Sequence, residues 1–316
     1  MIDTQIASAT LPFVASPQQI RSNSAELRGW LKANKEEVVR WLDLHGAVLF
    51  RGFAIGSAQQ FQDIAAVFCD EFSDYAGGNS PRTKVVSHVF TSTEYAKDER
   101  ISLHNEASYL KRMPRTILFF CAKRAASGGE TPIADCRRIL DRLDPELRDC
   151  FERKGVLYVN NMHGGMGLGR SWMDVFGTRN RHEVEKRLVA DGYEFEWKPG
   201  GELRTSTRAP AILRHPRTQE EVWINQAEQW HPSSLDPSFR TQLLSILRED
   251  ELPHNAFFGD GSPLHEKDLN KIRKAMAAEE RVFHWQEGDI LVCDNHLVMH
   301  GRQPYSGDRK ILVAMG

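Results

Sequence analysis

Short apolar runs separated by turn-rich segments constrain the fold of this chain more than any other feature of its sequence. The clearest runs are GAVLFRGF (46–53), TILFFCA (116–122), GDILVC (288–293) and RKILVAM (309–315). Runs of this length, bounded by glycine, proline or polar residues, are typical of buried β-strands. They fall well short of the about eighteen apolar residues that a membrane-spanning helix requires. We therefore expect a fold built around β-sheet.

Helical periodicity is concentrated early and in the middle of the chain. It predicts helices at 22–44, 59–72, 136–143, 145–154, 182–191 and 236–249, and two further strands are expected at PAILRH (210–215) and EEVWINQ (220–226). We interpret GDILVCDN and RKILVAM as a strand pair joined by a glycine- and proline-bearing turn. The pattern predicts a mostly β protein with flanking helices, in which a β-sandwich or jelly roll forms the core.

The length and composition favour one large domain. The chain has 316 residues, 41% of them hydrophobic, which is enough to bury a sizeable core. We expect a single domain over 1–316. The glycine-rich stretch NNMHGGMGLGRSWMDVFGT predicts a long irregular loop from 159 to 181. Because such loops often serve as lids or binding elements, we expect a lid or insertion around 159–200.

Charge and cysteine content exclude several classes of function. The chain carries 41 basic and 43 acidic residues, so its near-neutral balance favours neither a nucleic acid nor a membrane as partner. Its five cysteines are scattered and form no CxxC pair, which argues against a disulfide framework and a thiolate zinc site. The amino terminus has no basic region followed by an apolar run. We expect a cytoplasmic protein, and homo-oligomerisation stays open.

A first candidate metal motif is LHNE, which places His104 and Glu106 two residues apart. On a β-strand, residues i and i+2 project from the same face, so both side chains could reach one ion without bending the backbone. By itself an HxE pair is a weak signal, since a chain with 12 histidines and 43 acidic residues contains such pairs by chance.

A second candidate motif, DNHLVMH (294–300), directly follows a predicted strand. Two histidines and one carboxylate occupy one face of an octahedron and leave three positions open, an arrangement that suits iron(II). His296 and His300 lie four residues apart, so on a helix they could instead bind zinc together. The short LVM run and the following turn favour a strand, and we therefore expect only one of these two histidines to be a ligand.

With these motifs in view, the chain resembles the TauD/TfdA family of iron(II)- and 2-oxoglutarate-dependent oxygenases. The resemblance runs from about Gly46 to the end, and it is carried by GAVLFRGF, GGNSPR, TSTEY, LHNE, SGGETPIAD, the DN-x4-His run and HGRQPYSGDRKILVAM. The branch containing SyrP-like hydroxylases is most similar. The family pattern selects His300 over His296 as the second histidine ligand. It also implies a double-stranded β-helix core, the cupin-like form of the jelly roll. Glu106 stands where taurine dioxygenase has aspartate.

The resemblance implies iron(II) as cofactor, held by His104, Glu106 and His300, with 2-oxoglutarate and O2 as co-substrates. Arg309 stands where the family places the arginine that pairs with the distal carboxylate of 2-oxoglutarate, and a guanidinium donates two parallel hydrogen bonds to such a group. Lys310 is the alternative. Thr131 stands where the family places a hydroxyl that bonds the same carboxylate.

The function implied is oxidation of an amino acid or amide, free or bound to a carrier protein, in natural-product biosynthesis such as that of antibiotics. Glu106 argues for hydroxylation, epoxidation or desaturation and against chlorination, because related halogenases replace this carboxylate with a small residue. Alternatives are a taurine-dioxygenase-like enzyme of sulfonate or small-carboxylate catabolism and a non-catalytic regulatory binding protein. Candidate substrate contacts are Arg82, Arg208, Asn225 and His163.

Overall fold

The structure, a computed structural model, describes residues 2–3, 10–17, 22–73, 82–93 and 95–316. Strands found in these ranges are β1 Ile2–Asp3, β2 Phe13–Pro17, β3 Ser22–Asn23, β4 Ala47–Phe50, β5 Phe53–Ala54, β6 Lys84–Val86, β7 Val89–Thr91, β8 Ile101–His104, β9 Thr116–Lys123, β10 Ser127–Gly128, β11 Ile133–Asp135, β12 Val156–Met162, β13 Glu194–Trp197, β14 Leu203–Ala209, β15 Ile212–Arg214, β16 Glu221–Trp223, β17 His254–Phe258, β18 Ile290–Asp294, β19 Val298–Arg302, β20 Tyr305–Ser306 and β21 Lys310–Met315.

Helices found in the same ranges are α1 Ser24–Ala33, α2 Lys35–His45, α3 Ala58–Ala65, α4 Cys136–Arg142, α5 Pro145–Lys154, α6 Trp172–Phe176, α7 Arg181–Ala190, α8 Ala227–Trp230, α9 Pro237–Ile246 and α10 Glu266–Glu279. The chain is thus mostly β with helices, and this part of the predicted fold class is confirmed. None of the helices in the described ranges is both long and apolar enough to cross a membrane.

The largest sheet has the strand order β1-β2-β4-β18-β9-β21-β7-β6 among the described residues. Its central strands are apolar on both faces, because both faces are covered. Side chains alternate along β9, so that Ile117 and Phe119 lie in the larger core, whereas Leu118 and Phe120 lie in the core beneath α1, α2 and α3. The continuous apolar run of TILFFCA follows from this two-sided burial.

The helix predicted over 22–44 is two helices, α1 and α2. The helix is interrupted at Asn34, because the backbone there leaves helical geometry. The side-chain Nδ2 of Asn34 donates to the Trp30 carbonyl. Helix α2 ends at Gly46, which has φ +75° and donates its N–H to the Leu42 carbonyl. A Cβ on Gly46 would lie 2.3 Å from Val298 Cγ2, so glycine is required there. Helix α3 is also shorter than the predicted 59–72.

The expectation that GDILVCDN and RKILVAM form a strand pair is wrong. Strand β9 lies between β18 and β21 and pairs antiparallel with each of them. The connection between β18 and β21 is not a simple turn, because it contains β19, which leaves the large sheet to pair with β8 and β11. Because β9 lies between β18 and β21, each of them pairs with an apolar strand that is buried on both faces.

The three-stranded sheet β11-β19-β8 positions the candidate site. In its register His300 on β19 lies directly opposite His104 on β8. The two histidines, which are far apart in sequence, therefore become neighbours through strand pairing.

The glycine-rich region is more regular than predicted. Strand β12 runs through Met162 and α6 follows at Trp172. Within 159–181, the stretches 163–171 and 177–180 lack regular structure, apart from an isolated bridge between His163 and Ser171. Strands β13, β14, β12 and β17 form a four-stranded sheet. The glycine-rich sequence suggested an irregular loop. Apolar residues within 159–181 instead pack with Val184 and Leu203 in a small core of their own.

Candidate active site

His104, Glu106 and His300 converge at one point beside the three-stranded sheet. One ligand atom from each lies within 4.8 Å of those from the other two. His300 Nε2 is 3.7 Å from Glu106 Oε2, and the centroids of the two imidazole rings are 4.5 Å apart. The structure therefore gathers two imidazole nitrogens and a carboxylate from distant parts of the sequence.

The tautomer of His104 suits a metal ligand. Its Nδ1 lies 2.8 Å from the carbonyl oxygen of Ser102, so this nitrogen donates a proton to the carbonyl and leaves the Nε2 lone pair for a cation. Burial and the neighbouring His300 lower the pKa of His104 to about 4, so the ring is neutral near pH 7. A neutral imidazole is the form that binds metals.

Glu106 supplies the negative charge of the site. Burial opposes ionisation of its carboxyl, but the Arg82 guanidinium, together with His300 and His104, holds its pKa below the usual value. Arg82 Nη2 donates to Glu106 Oε2 over 2.6 Å. The structure thus places Arg82, which was predicted as a substrate contact, against the acidic ligand. Two imidazoles and one carboxylate make a donor set that fits iron(II).

The local argument that placed His104 and Glu106 on one strand face is wrong. Strand β8 ends at His104, and Glu106 lies in the turn that follows. Asn295 holds that turn: its Oδ1 accepts the Glu106 N–H at 2.8 Å, while its Nδ2 donates to the carbonyls of Glu106 at 2.9 Å and Pro114 at 2.8 Å. The sequence argument missed this role of Asn295, although the DN pair of the motif marked the residue.

A second cluster brings together His215, Asp294 and His296. Its groups already have partners, since Asp294 Oδ2 accepts from Arg217 Nη2 at 2.7 Å and lies 3.2 Å from His215 Nε2. The Thr218 N–H donates to His215 Nδ1, which makes Nε2 the protonated nitrogen and leaves this ring no free lone pair. The cluster is a hydrogen-bonded network, and His296 belongs to it rather than to the His104 site.

A small cavity adjoins His104 and His300, and Arg309 and Thr131 both line it. Arg309 Nε donates to the Gly129 carbonyl at 2.8 Å. Burial and the nearby Arg302 lower the pKa of Arg309 to about 10, so it stays charged near pH 7. Thr131 Oγ1 accepts from Trp285 Nε1 at 3.1 Å. Lys310, the alternative to Arg309, is exposed.

Arg302, also on the cavity wall, was not identified from the sequence. It is 4% exposed and donates to the backbone carbonyls of Thr93, Tyr95, Ala96 and Glu99. These bonds tie the chain before β8 to strand β19. The motif HGRQPYSG contains this arginine, but nothing in the sequence distinguished it from a solvated charge.

His104 and Glu106 also line a larger cavity of about 610 Å³. Its wall includes aromatic and aliphatic side chains such as Tyr109, Trp230 and Phe239, together with the amides of Asn160, Gln226 and Gln229. Gln226 also braces the site, since its Nε2 donates to the Asn105 carbonyl at 2.6 Å. The cavity is large enough to give a small molecule access to His104 and Glu106.

The remaining predicted substrate residues lie outside the lining of this cavity. Arg208 is exposed, pairs with Glu194 and donates to the Gly259 carbonyl. Asn225 is buried and bonds the Ala211 carbonyl and the Ala227 N–H. His163 accepts from the Gly165 N–H and lines a separate cavity of about 350 Å³.

Comparison with known proteins gives consistent results. The family described as taurine catabolism dioxygenase TauD, TfdA matches residues 10–315. The dapdiamide synthesis protein DdaC of Enterobacter agglomerans is 39% identical over 270 residues, covering 85% of this chain and 82% of that protein. A clavaminate synthase-like protein of Arabidopsis thaliana is 31% identical over 282 residues, covering 85% and 81%. The crystal structure of PvcB from Pseudomonas aeruginosa shares the fold at TM-score 0.52 and 17% identity, covering 96% of this chain and 84% of that one.

Proposed function

This chain belongs to the TauD/TfdA family of iron(II)- and 2-oxoglutarate-dependent dioxygenases, and from that membership we propose that it oxidises an amino acid or an amide, free or bound to a carrier protein. Hydroxylation is the proposed outcome, with epoxidation or desaturation as variants of the same chemistry. The similarity to a protein named for dapdiamide synthesis supports a role in natural-product biosynthesis.

The proposed roles follow from the placement of the side chains. His104, Glu106 and His300 hold iron(II), and Arg309 pairs with the distal carboxylate of 2-oxoglutarate inside the small cavity. Thr131 lines that cavity with its hydroxyl. When bound, the iron couples the oxidative decarboxylation of 2-oxoglutarate by O2 to the breaking of a substrate C–H bond. The chain itself orients the substrate and excludes water.

The observation that carries the proposed substrate class is the size and lining of the larger cavity. Its volume of about 610 Å³ falls in the range of about 300–1,000 Å³ that buries drug-sized ligands. A two-carbon sulfonate such as taurine would leave most of it unfilled. The cavity therefore supports an extended substrate over a small sulfonate.

The chemistry of the wall supports the same class. Gln229 lines the cavity, and its side-chain amide has no hydrogen-bond partner among the described residues. An amide both donates and accepts, so it matches a peptide or amide group of a ligand. His254, an exposed residue on the same wall, has its pKa lowered by desolvation from the surrounding protein, so the ring is uncharged near pH 7. The amides of this wall suit a peptide-like substrate.

The proposal extends to architecture. We take the eight-stranded sheet and the three-stranded sheet as the two walls of a jelly-roll, double-stranded β-helix core within a single domain over 1–316. The region 159–200 contributes Leu168 and Arg170 to the larger cavity, which supports its role as a lid.

The test begins with anaerobic addition of iron(II) and 2-oxoglutarate to the purified chain. The proposal requires the weak visible charge-transfer band of an iron–keto acid chelate, and its absence would refute an oxygenase site. Succinate release is then measured against free amino acids, amides, carrier-loaded amino acids and taurine. Turnover with taurine alone would favour the catabolic alternative. A chelate that forms but releases no succinate with any of these compounds would favour a binding protein.

A further inference from the structure

The ion pair between Arg82 and Glu106 is unusual because one partner is a proposed iron ligand. Both side chains are buried, with 4% and 7% exposure, and Arg82 Nη2 lies 2.6 Å from Glu106 Oε2. A carboxylate oxygen held this closely by a guanidinium is already neutralised before any metal arrives. The pair therefore affects the stability of the site when no metal is bound.

The other two guanidiniums that line the small cavity bond to groups other than Glu106. Arg302 is engaged with backbone carbonyls, and Arg309 donates to the Gly129 carbonyl and to Ser92 Oγ. All three guanidiniums line the same cavity. Among the described residues, Arg82 is the one whose guanidinium forms an ion pair with Glu106.

We propose that Arg82 is a built-in counter-ion for Glu106, which stabilises the metal-free fold and competes with a divalent cation for the same carboxylate. The inference rests on the proposed function, since it takes Glu106 to be an iron ligand. Removing one member of a buried ion pair is strongly destabilising, because the other charge is left uncompensated. A metal that binds Glu106 must approach a positive charge already held beside it, and this repulsion lowers its affinity.

Two consequences have opposite signs, and together they distinguish a competing counter-ion from an ordinary structural arginine. Loss of the Arg82 charge destabilises the metal-free chain, because Glu106 is left buried and unpaired. The same loss strengthens metal binding, because the carboxylate is released to the cation. An arginine that only shaped the site for metal would, on removal, weaken both properties.

The experiment compares wild type with Arg82→Met and Arg82→Lys after removal of metal with a chelator. Urea unfolding measures the stability of the metal-free chain, and calorimetric titration with Mn²⁺ in the absence of 2-oxoglutarate measures metal affinity. We expect Arg82→Met to unfold at lower urea and to bind Mn²⁺ at least about tenfold more tightly, a difference of about 1.4 kcal/mol in binding free energy. Arg82→Lys keeps the charge and is expected to lie near wild type in both measurements.

A double-mutant cycle isolates the pair. In the Glu106→Gln variant, the added Arg82→Met substitution should no longer lower the stability of the metal-free chain, since no carboxylate is left unpaired. Arg309→Gln is the matched control, because it removes a guanidinium from the same cavity without touching Glu106. Its effect on metal-free stability should be smaller than that of Arg82→Met.

The proposal is overturned if Arg82→Met leaves the metal-free stability unchanged or weakens Mn²⁺ binding. If Arg82→Met does not fold without metal, saturating Mn²⁺ must restore folding, and a failure to do so also overturns it. Failure of the proposed function is recognised separately. In that case wild type itself would bind no Mn²⁺, even with 2-oxoglutarate present.

Discussion

Asn295 offers a sharp test of how the metal site is held together. It is fully buried, and its side chain makes three hydrogen bonds, two to the backbone of Glu106 and one to the Pro114 carbonyl. At about 1 kcal/mol for each bond, Asn295→Ala should lower the free energy of unfolding by about 3 kcal/mol. The buried N–H of Glu106 left without an acceptor adds to this loss.

The same substitution should weaken metal binding. Asn295 fixes the turn that carries Glu106, and loss of such an outer partner typically costs about 10–100-fold in metal affinity. Urea unfolding of the metal-free chain gives the stability, and titration with Mn²⁺ gives the affinity. Both the stability and the Mn²⁺ affinity should be lower in Asn295→Ala than in wild type.

Asn161→Ala is the matched control. Asn161 Nδ2 donates to the carbonyls of Asp250 and Leu252, and its Oδ1 accepts from Arg204 Nη1 at 3.3 Å. The residue does not belong to the ligand cluster of the metal site. Its removal should cost about 3 kcal/mol for three bonds and leave Mn²⁺ affinity unchanged. The reasoning would be refuted if Asn295→Ala lost less than about 1 kcal/mol or bound Mn²⁺ as tightly as wild type.

Three further outcomes are expected. His300→Ala should abolish Mn²⁺ binding while His296→Ala retains it, because only His300 joins the ligand cluster of His104 and Glu106; the reverse result in the same titration would reassign the ligand. Arg309→Gln should raise the concentration of 2-oxoglutarate needed for half-maximal formation of the charge-transfer band, because a buried positive partner of the distal carboxylate is lost. An unchanged titration would mean that Arg309 does not bind 2-oxoglutarate. Desolvation by the surrounding protein lowers the pKa of His254 from its usual 6.5, so its contribution to stability is present above pH 6.5 and is lost as the pH falls through that value towards the lowered pKa. His254→Asn should therefore reduce the pH dependence of the unfolding free energy below pH 6.5, measured in urea, and a slope equal to that of wild type would contradict this.

Local patterns predicted many of the elements, because short apolar runs and helical periodicity are properties of neighbouring residues. TILFFCA forms β9 as expected, and 145–154 forms α5 over the predicted residues. The pairing of strands was not predictable in the same way. GDILVCDN and RKILVAM both pair with β9, a strand far away in the chain, and adjacency in the sequence suggested a partner that the sheet does not use.

For the candidate site, the sequence by itself determined which side chains are chemically suited: two histidines, a glutamate and an arginine in motifs of recognisable spacing. Tertiary structure alone decided the partners of those groups. Arg82 lies against Glu106 rather than in the larger cavity, and Asn295 binds the turn that carries Glu106. The physical reason is that a ligand motif is defined by residues close together in the sequence, whereas the charge and hydrogen bonds that tune it come from distant segments brought together by burial of the core.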